Sequence, residues 1–172
     1  VLYALLAIFA PMFSQYTQSE MDVESKNAMI SAAHWFGCDS TGRDLWVRIW
    51  MGGRVSLTIG LISAVLNMCV GAVIGGLCGF YGGKLDMIVM RIVDILYGIP
   101  SLIITILVMM VLGKGVAPLI VAMCIVGWIG TCRFVRGEVY RIKEQDFVMA
   151  AKVLGVPDFI IIVRHIIPNI LG

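Results

Sequence analysis

Residues 55–83 contain no Asp, Glu, Lys or Arg. As one helix at 1.5 Å per residue, these 29 residues reach roughly 43 Å, beyond the ~30 Å hydrocarbon core of a bilayer. A helix at home in water keeps one side polar, and this run has no such side. Composition points the same way. Of 172 residues, 60% are hydrophobic and only 14% charged, with a mean hydropathy of +0.96. Soluble domains carry about a quarter charged residues. These figures argue against an ordinary soluble enzyme, a disordered tail and a disulfide-rich secreted module. A net charge of +2 is too small for a nucleic-acid footprint. The expected fold is all-α, a polytopic transmembrane helix bundle that meets membrane lipid and no nucleic acid.

Further spans are expected from about Asp86 to Leu112 and from about residue 116 to 132. Residues 1–13 are apolar but short, and read as the end of a first transmembrane helix. A signal-peptide core competes with that reading, but no basic n-region or cleavage site is visible. The chain opens inside this apolar run and stops as another begins at its end. It is therefore expected to be an internal piece of a longer membrane protein, truncated at both ends.

Within 55–83, Gly71, Gly75, Gly79 and Gly83 recur every four residues. They form a ridge on which a second helix can pack closely. Asn67 is expected to make an interhelical hydrogen bond, with a transport role as the competing reading. Arg91 and Asp94 share a helix face and are expected to pair within their helix; a charged path through the membrane is the alternative. Gly98 and Pro100 predict a kink or break, since proline removes a backbone donor and clashes with the preceding turn.

Residues 14–54 hold nine charges and form the outer polar segment. Thr41–Met51 can form an amphipathic helix capped by Asp39 or Ser40, with Leu45, Trp46, Ile49 and Trp50 on one side. It reads equally as an interfacial helix at headgroup level and as the wet end of the following span. Cys69, Cys78, Cys124 and Cys132 lie in apolar runs and Cys38 has no polar-segment partner, so no structural disulfide is expected. His34, Cys38 and Asp39 do not complete a coordination shell, and no metal site is assigned. No Ser-His-Asp or paired-carboxylate arrangement stands out, so no catalytic residue and no enzymatic activity are expected.

Lysine and arginine orient the bundle. Five flank one side (Lys26, Arg43, Arg48, Arg54, Lys114) and eight the other (Lys84, Arg91, Arg133, Arg136, Arg141, Lys143, Lys152, Arg164). The richer side, with 133–165, is expected in the cytoplasm, and 14–54 outside. In 144–168, Phe147, Ala150, Ala151 and Leu154 fall at i, i+3, i+4 and i+7, a short helix with one apolar, partly small-residue face. Gly155 suits its C-terminal stop, Pro157 the start of a second helix, and Pro168 the entry to the next span. Periodicity alone leaves open a plain amphipathic loop under the bundle and a surface on which a partner docks.

This segment resembles the EAA loop of ABC-importer permeases, which forms their coupling helix. The matching residues are Ala150, Ala151, Gly155 and Pro168; Met149 stands where that pattern has Glu, and His165 where it has an aliphatic residue. His34-Trp35-Phe36-Gly37-Cys38-Asp39-Ser40-Thr41-Gly42-Arg43-Asp44 resembles the stretch before the second span in the C-type permeases of dipeptide, oligopeptide and nickel importers, with Cys38 in place of Thr. Tyr81-Gly82-Gly83, Met90-Arg91-Ile92-Val93-Asp94, Gly127-Trp128 and Arg133-Phe134-Val135-Arg136-Gly137 extend the resemblance over about 34–172.

The resemblance implies a type I permease of about six spans in a bacterial inner membrane. Residues 1–13 would end the first span, 14–54 would be extracytoplasmic, and 55–172 would be permease domain with a coupling loop at 135–165. Phe147, Ala150, Ala151, Leu154, Gly155 and Pro168 would meet the ATPase. The implied partners are two ATP-binding subunits, a homologous second permease and an extracytoplasmic substrate-binding protein. No cofactor is expected in this chain: it has no Gly-x-x-x-x-Gly-Lys-Ser/Thr loop, so ATP would sit in the partner subunits. The implied cargo is a peptide or related small solute. The alternative is an ion-coupled transporter or channel that uses Arg91, Asp94 and Asn67.

Overall fold

The structure is a computed structural model and describes residues 2–171. Among them the regular elements are helices: α1 (Leu2–Phe9), α2 (Leu45–Tyr81), α3 (Gly83–Tyr97), α4 (Ser101–Leu112), α5 (Val116–Ile142), α6 (Asp146–Val153), α7 (Asp158–Ile160) and α8 (Ile167–Leu171). Two of these, α2 and α5, are each long and apolar enough to cross a membrane; α3 with α4 make a third span if the bent pair is counted as one. The chain divides into two compact units at Leu61/Ile62, and α2 contributes to both.

In the first unit, α1 leads into a tight turn at Ala10–Phe13. Its last carbonyls have no helical partners. Arg54 donates from Nη2 to the Ile8 carbonyl at 2.7 Å and from Nε to that of Ala7 at 3.3 Å. Trp46 Nε1 donates to the Ala10 carbonyl at 3.1 Å. Trp35 and Phe36 each meet the Trp46 ring edge-on at 4.9 Å.

The amphipathic stretch is not a separate helix. Its residues from Leu45 onward are the first turns of α2, which runs unbroken for 37 residues. The cap is neither Asp39 nor Ser40. Asp44 Oδ1 accepts the Val47 N–H at 3.0 Å, three residues into the helix, as an N-cap side chain does. Asp39 is committed elsewhere: its carboxylate accepts from the Thr41 hydroxyl and from the backbone of Thr41 and Arg43, and pairs with Arg48. Those hydrogen bonds, led by the Thr41 hydroxyl, hold the Asp39 carboxyl well below the usual carboxylate range. His34 Nδ1 lies 2.9 Å from Asp44 Oδ2, both residues buried. His34 and Asp39 thus have separate partners, and burial pushes the Cys38 thiol up.

In the second unit, α2 lies on α5. A Cβ on Gly71 would come within 2.7 Å of the Trp128 carbonyl oxygen, and one on Gly79 within 2.8 Å of that of Arg136. One on Gly75 would run into the Cys132 carbonyl. Gly83 does not belong to this ridge. It stands past the end of α2 with φ +58°, after Gly82 at φ +63°, and a Cβ on it would meet nothing within 4 Å. This glycine pair makes the sharp α2–α3 turn, in a backbone region costly for other residues. Asn67 packs on Gly127, and its Oδ1 is buried with no hydrogen-bond partner among the described residues.

The break at Gly98–Pro100 is larger than a kink. α3 and α4 meet at 84°. The Gly98 N–H closes α3 on the Asp94 carbonyl at 3.1 Å, and the Pro100 carbonyl starts α4 by accepting from Ile103 at 2.9 Å. α5 continues ten residues past the predicted end at 132, to Ile142. It carries Arg133 and Arg136 with it because both find carboxylates on α3. Asp94 therefore pairs with Arg133 at 2.6 Å, and the expected pairing with Arg91 is replaced.

Two outcomes follow from this packing. Gly75→Ala should destabilise the full-length protein by about 1–3 kcal/mol through overpacking. Gly76→Ala, one residue away with nothing within 4 Å, should not lower the melting temperature in detergent, since alanine is the better helix former. Because Asp39 has a depressed folded pKa, its contribution is fully present above the unfolded value near 3.9 and fades as pH falls below it. The melting difference between wild type and Asp39→Asn should therefore hold steady from about pH 7 to 5 and shrink below about pH 4.

Candidate functional site

The polar end of the second unit is built around α6. Gln145 enters it in extended conformation, and the Val148 and Met149 N–H groups donate to the Gln145 carbonyl at 3.0 and 3.1 Å. Asp146 in the first turn and Lys152 in the last suit the helix dipole. The helix ends in a paired bond: Val156 N–H to the Ala151 carbonyl at 3.1 Å, and Gly155 N–H to that of Lys152 at 3.0 Å. This is a Schellman stop, and Gly155 takes the left-handed position at φ +74°.

α6 has two sides. Val148 and Ala151, three residues apart, are buried in a cluster with Phe80, Val135, Val139, Ile142, Ile161 and Ile166. Phe147, Ala150 and Leu154 face outward, with Leu154 82% exposed. The four residues expected on one face are thus divided. Ala151 is small because it packs against the bundle, not because it leaves room for a partner. Pro168 is also off the outward side of α6; it lies in α8, exposed, after a widened π-helical turn at Ile161–Ile166. In a regular helix its ring would clash with the carbonyl four residues back, and the wider turn relieves this. The structure therefore brings Phe147, Ala150 and Leu154 together and leaves Ala151 and Pro168 apart from them.

Beneath α6 runs a polar network that the sequence reading did not assign. Asp86, in the first turn of α3, is nearly buried and receives both Nε and Nη2 of Arg136, the latter at 2.6 Å. Tyr140 donates its hydroxyl to the same carboxylate at 3.0 Å. Lys143 Nζ donates to the Gly79 carbonyl at 2.9 Å and sits 3.9 Å from the Tyr140 ring centroid. Lys152 of α6 lies over the Phe80 ring of α2 at 4.7 Å. A signal for the Asp86–Arg136 pair was present: carboxylate and guanidinium on neighbouring apolar helices have few partners besides each other.

A second ion pair joins the same two helices. Arg133 Nη2 meets Asp94 Oδ1 at 2.6 Å, and its guanidinium lies 4.7 Å from the Tyr97 ring centroid. The side chains of this pair are 41% and 56% exposed, against 33% and 10% for Arg136 and Asp86. Removing one partner of a buried pair such as Asp86–Arg136 costs about 3–5 kcal/mol.

Residues 71–172 match the family of binding-protein-dependent transport system inner membrane components. This chain belongs to that family. As an inner membrane component it is a multi-pass bacterial membrane protein, in keeping with its apolar helices. It is 46% identical over 172 residues to an oligopeptide transport system permease protein of Bacillus subtilis, a match covering all of this chain and 56% of that relative. It is 39% identical over 168 residues to a dipeptide transport system permease protein of the same organism, covering 98% of this chain and 52% of the relative. A glutathione transport system permease protein of Pectobacterium atrosepticum is 37% identical over 173 residues, with 98% and 58% covered. The inner membrane component described here thus spans just over half the length of these relatives.

Gly155→Ala puts a side chain into the left-handed region at a cost of about 1–2 kcal/mol. Amide hydrogen exchange across 146–154 in the full-length protein should speed up accordingly, while exchange in the middle of α5 stays as in wild type.

Proposed function

We propose that the complete protein is the permease subunit of an ATP-driven importer, and that α6 is its coupling helix. The observation that carries this reading is the two-sidedness of α6. Its inner side, Val148 and Ala151, is part of the bundle core, and its outer side, Phe147, Ala150 and Leu154, is apolar and uncovered. A helix built this way passes a push from outside to the spans, because its underside does not slide freely on them.

The remaining assignments rest on the family and on charge. The excess of lysine and arginine at this end supports a cytoplasmic position for α6. There, separate ATP-binding subunits, two per transporter, would seat α6 in a groove in a helix-in-groove contact. ATP would bind to them and not to this chain. A second, homologous permease would complete the pathway, and an extracytoplasmic binding protein would deliver the solute. Peptide cargo is supported by the relatives, whose names specify oligopeptide, dipeptide and glutathione transport. Closure of the ATPases would move α6 with the spans as a rigid-body transition between outward and inward access.

An ion-coupled path through Arg91, Asp94 and Asn67 is not favoured. Asp94 is taken by Arg133 and Asn67 is packed on Gly127.

The test uses the full-length protein expressed with its companion subunits. Phe147→Glu and Leu154→Glu sit at exposed positions and should shift the melting temperature little. Each should lower recovery of the ATPase subunits with the permease by about tenfold, a loss of ~1.4 kcal/mol in binding, and lower labelled-peptide uptake with it. Normal recovery and uptake in both variants would reject the coupling assignment.

A further inference from the structure

We propose that the outer polar segment holds a site for a primary ammonium group, in a cavity of about 210 Å³ that Phe13, Tyr16, Trp35 and Trp46 line around the carboxylate of Asp44. The lining residues all belong to the first unit and precede the charge-free run. The cavity is smaller than the ~300–1,000 Å³ pockets that enclose whole drug-sized ligands, so it suits a terminal group.

Asp44 is 4% exposed, and two donors hold its carboxylate, the Val47 N–H on Oδ1 and the His34 ring on Oδ2. An unprotonated imidazole and a backbone amide are both neutral, so the negative charge stays in place. Among the described residues no lysine or arginine pairs with it: Arg48 goes to Asp39, and Arg43 reaches the Met21 sulfur. Each carboxylate oxygen has lone-pair room for a second donor. A buried charge without a counter-charge is costly, and a cation in the cavity relieves that cost.

Two further polar side chains of the cavity add acceptors. Ser14 Oγ accepts the Tyr16 N–H at 3.2 Å and has a second lone pair. Gln15 donates from Nε2 to the Tyr16 hydroxyl at 3.3 Å, which leaves its Oε1 uncommitted among the described residues. A primary ammonium brings three N–H donors and no acceptor. The rings suit the same charge, since aromatic faces attract cations. They are also held in place: Tyr16 stacks on His34 at 4.5 Å, and Trp46 meets Trp35 edge-on at 4.9 Å and bonds the Ala10 carbonyl. Walls fixed in advance lower the entropic cost of binding. Two sources carry this chemistry, an ethanolamine lipid headgroup and the free amino terminus of a solute.

Tryptophan fluorescence tests this in the full-length protein with its companion subunits, titrated in detergent with ethylammonium chloride. At about pH 8, above the ordinary range of histidine titration, a primary amine is still charged. The fluorescence change should saturate, whereas ethanol, the neutral analogue, should give no saturable change. Asp44→Asn removes the charge but keeps a good N-cap, and should weaken binding by about tenfold or more. Ala33→Leu fills the cavity, leaves Asp44 in place, and should abolish saturation. Vesicles with equal phosphatidylglycerol then carry either phosphatidylcholine, whose headgroup has no N–H donor, or phosphatidylethanolamine. Loss of the ethylammonium response only with phosphatidylethanolamine identifies the lipid headgroup as the occupant. Persistence in both, with displacement by a dipeptide and not by its N-acetylated form, identifies a solute amino terminus. A response that does not saturate, that ethanol reproduces, or that neither the lipid nor the dipeptide displaces would overturn the proposal. So would wild-type affinity in either variant.

Discussion

Backbone-to-backbone packing of α2 on α5 is the contact on which the rest of the second unit depends. At Gly71, Gly75 and Gly79 no side chain separates the helices, and a single added methyl would meet carbonyl oxygens of α5. Packing of this kind suits a bilayer, where lipid tails are as apolar as leucine and helices gain by close fit and not by escaping water. Its consequences extend along α5. With Gly79 against Val139, its carbonyl comes within reach of Lys143, and Phe80 enters the same cluster as Val148 and Ala151 of α6. The short outer helix is thus fastened to two long ones.

Charge completes what the glycines begin. Two of the three arginines of α5, Arg133 and Arg136, each meet an aspartate of α3, and Arg141 pairs with Glu138 of its own helix. The pairs differ in geometry: Asp86 takes two nitrogens of Arg136 and the Tyr140 hydroxyl, and Asp94 takes one nitrogen of Arg133. The same composition that announces a membrane protein, few charges among many apolar residues, makes each remaining charge informative. Among the described residues, Asp86, Asp94, Arg133 and Arg136 are all used to join α3 to α5.

Much of this was legible in the sequence. The charge-free run and its neighbours announced the spans, the glycine spacing announced the close contact, and Gly155 announced the end of α6. What was not legible depended on partners distant in sequence. Arg91 and Asp94 look like a pair because they lie three residues apart, but Arg133 reaches Asp94 from α5 and takes it. Ala151 fits a four-residue apolar face by periodicity, but only the neighbouring cluster decides that it points inward while Ala150 does not. Gly83 completes the four-residue spacing, but α2 has ended before it. The cap of α2 was misplaced for a related reason: Asp39 and Asp44 are both suitable capping residues, and the turn around Thr41 claims the first.

The central claim is that α6 turns one side to the bundle and the other to a partner. A photoreactive amino acid at Leu154, compared with one at Val148, in the full-length permease complex tests it most directly. Leu154 should cross-link to an ATP-binding subunit, and Val148 should cross-link only within the permease. Cross-linking of Val148 to the ATPase, or of Leu154 within the permease alone, would contradict it.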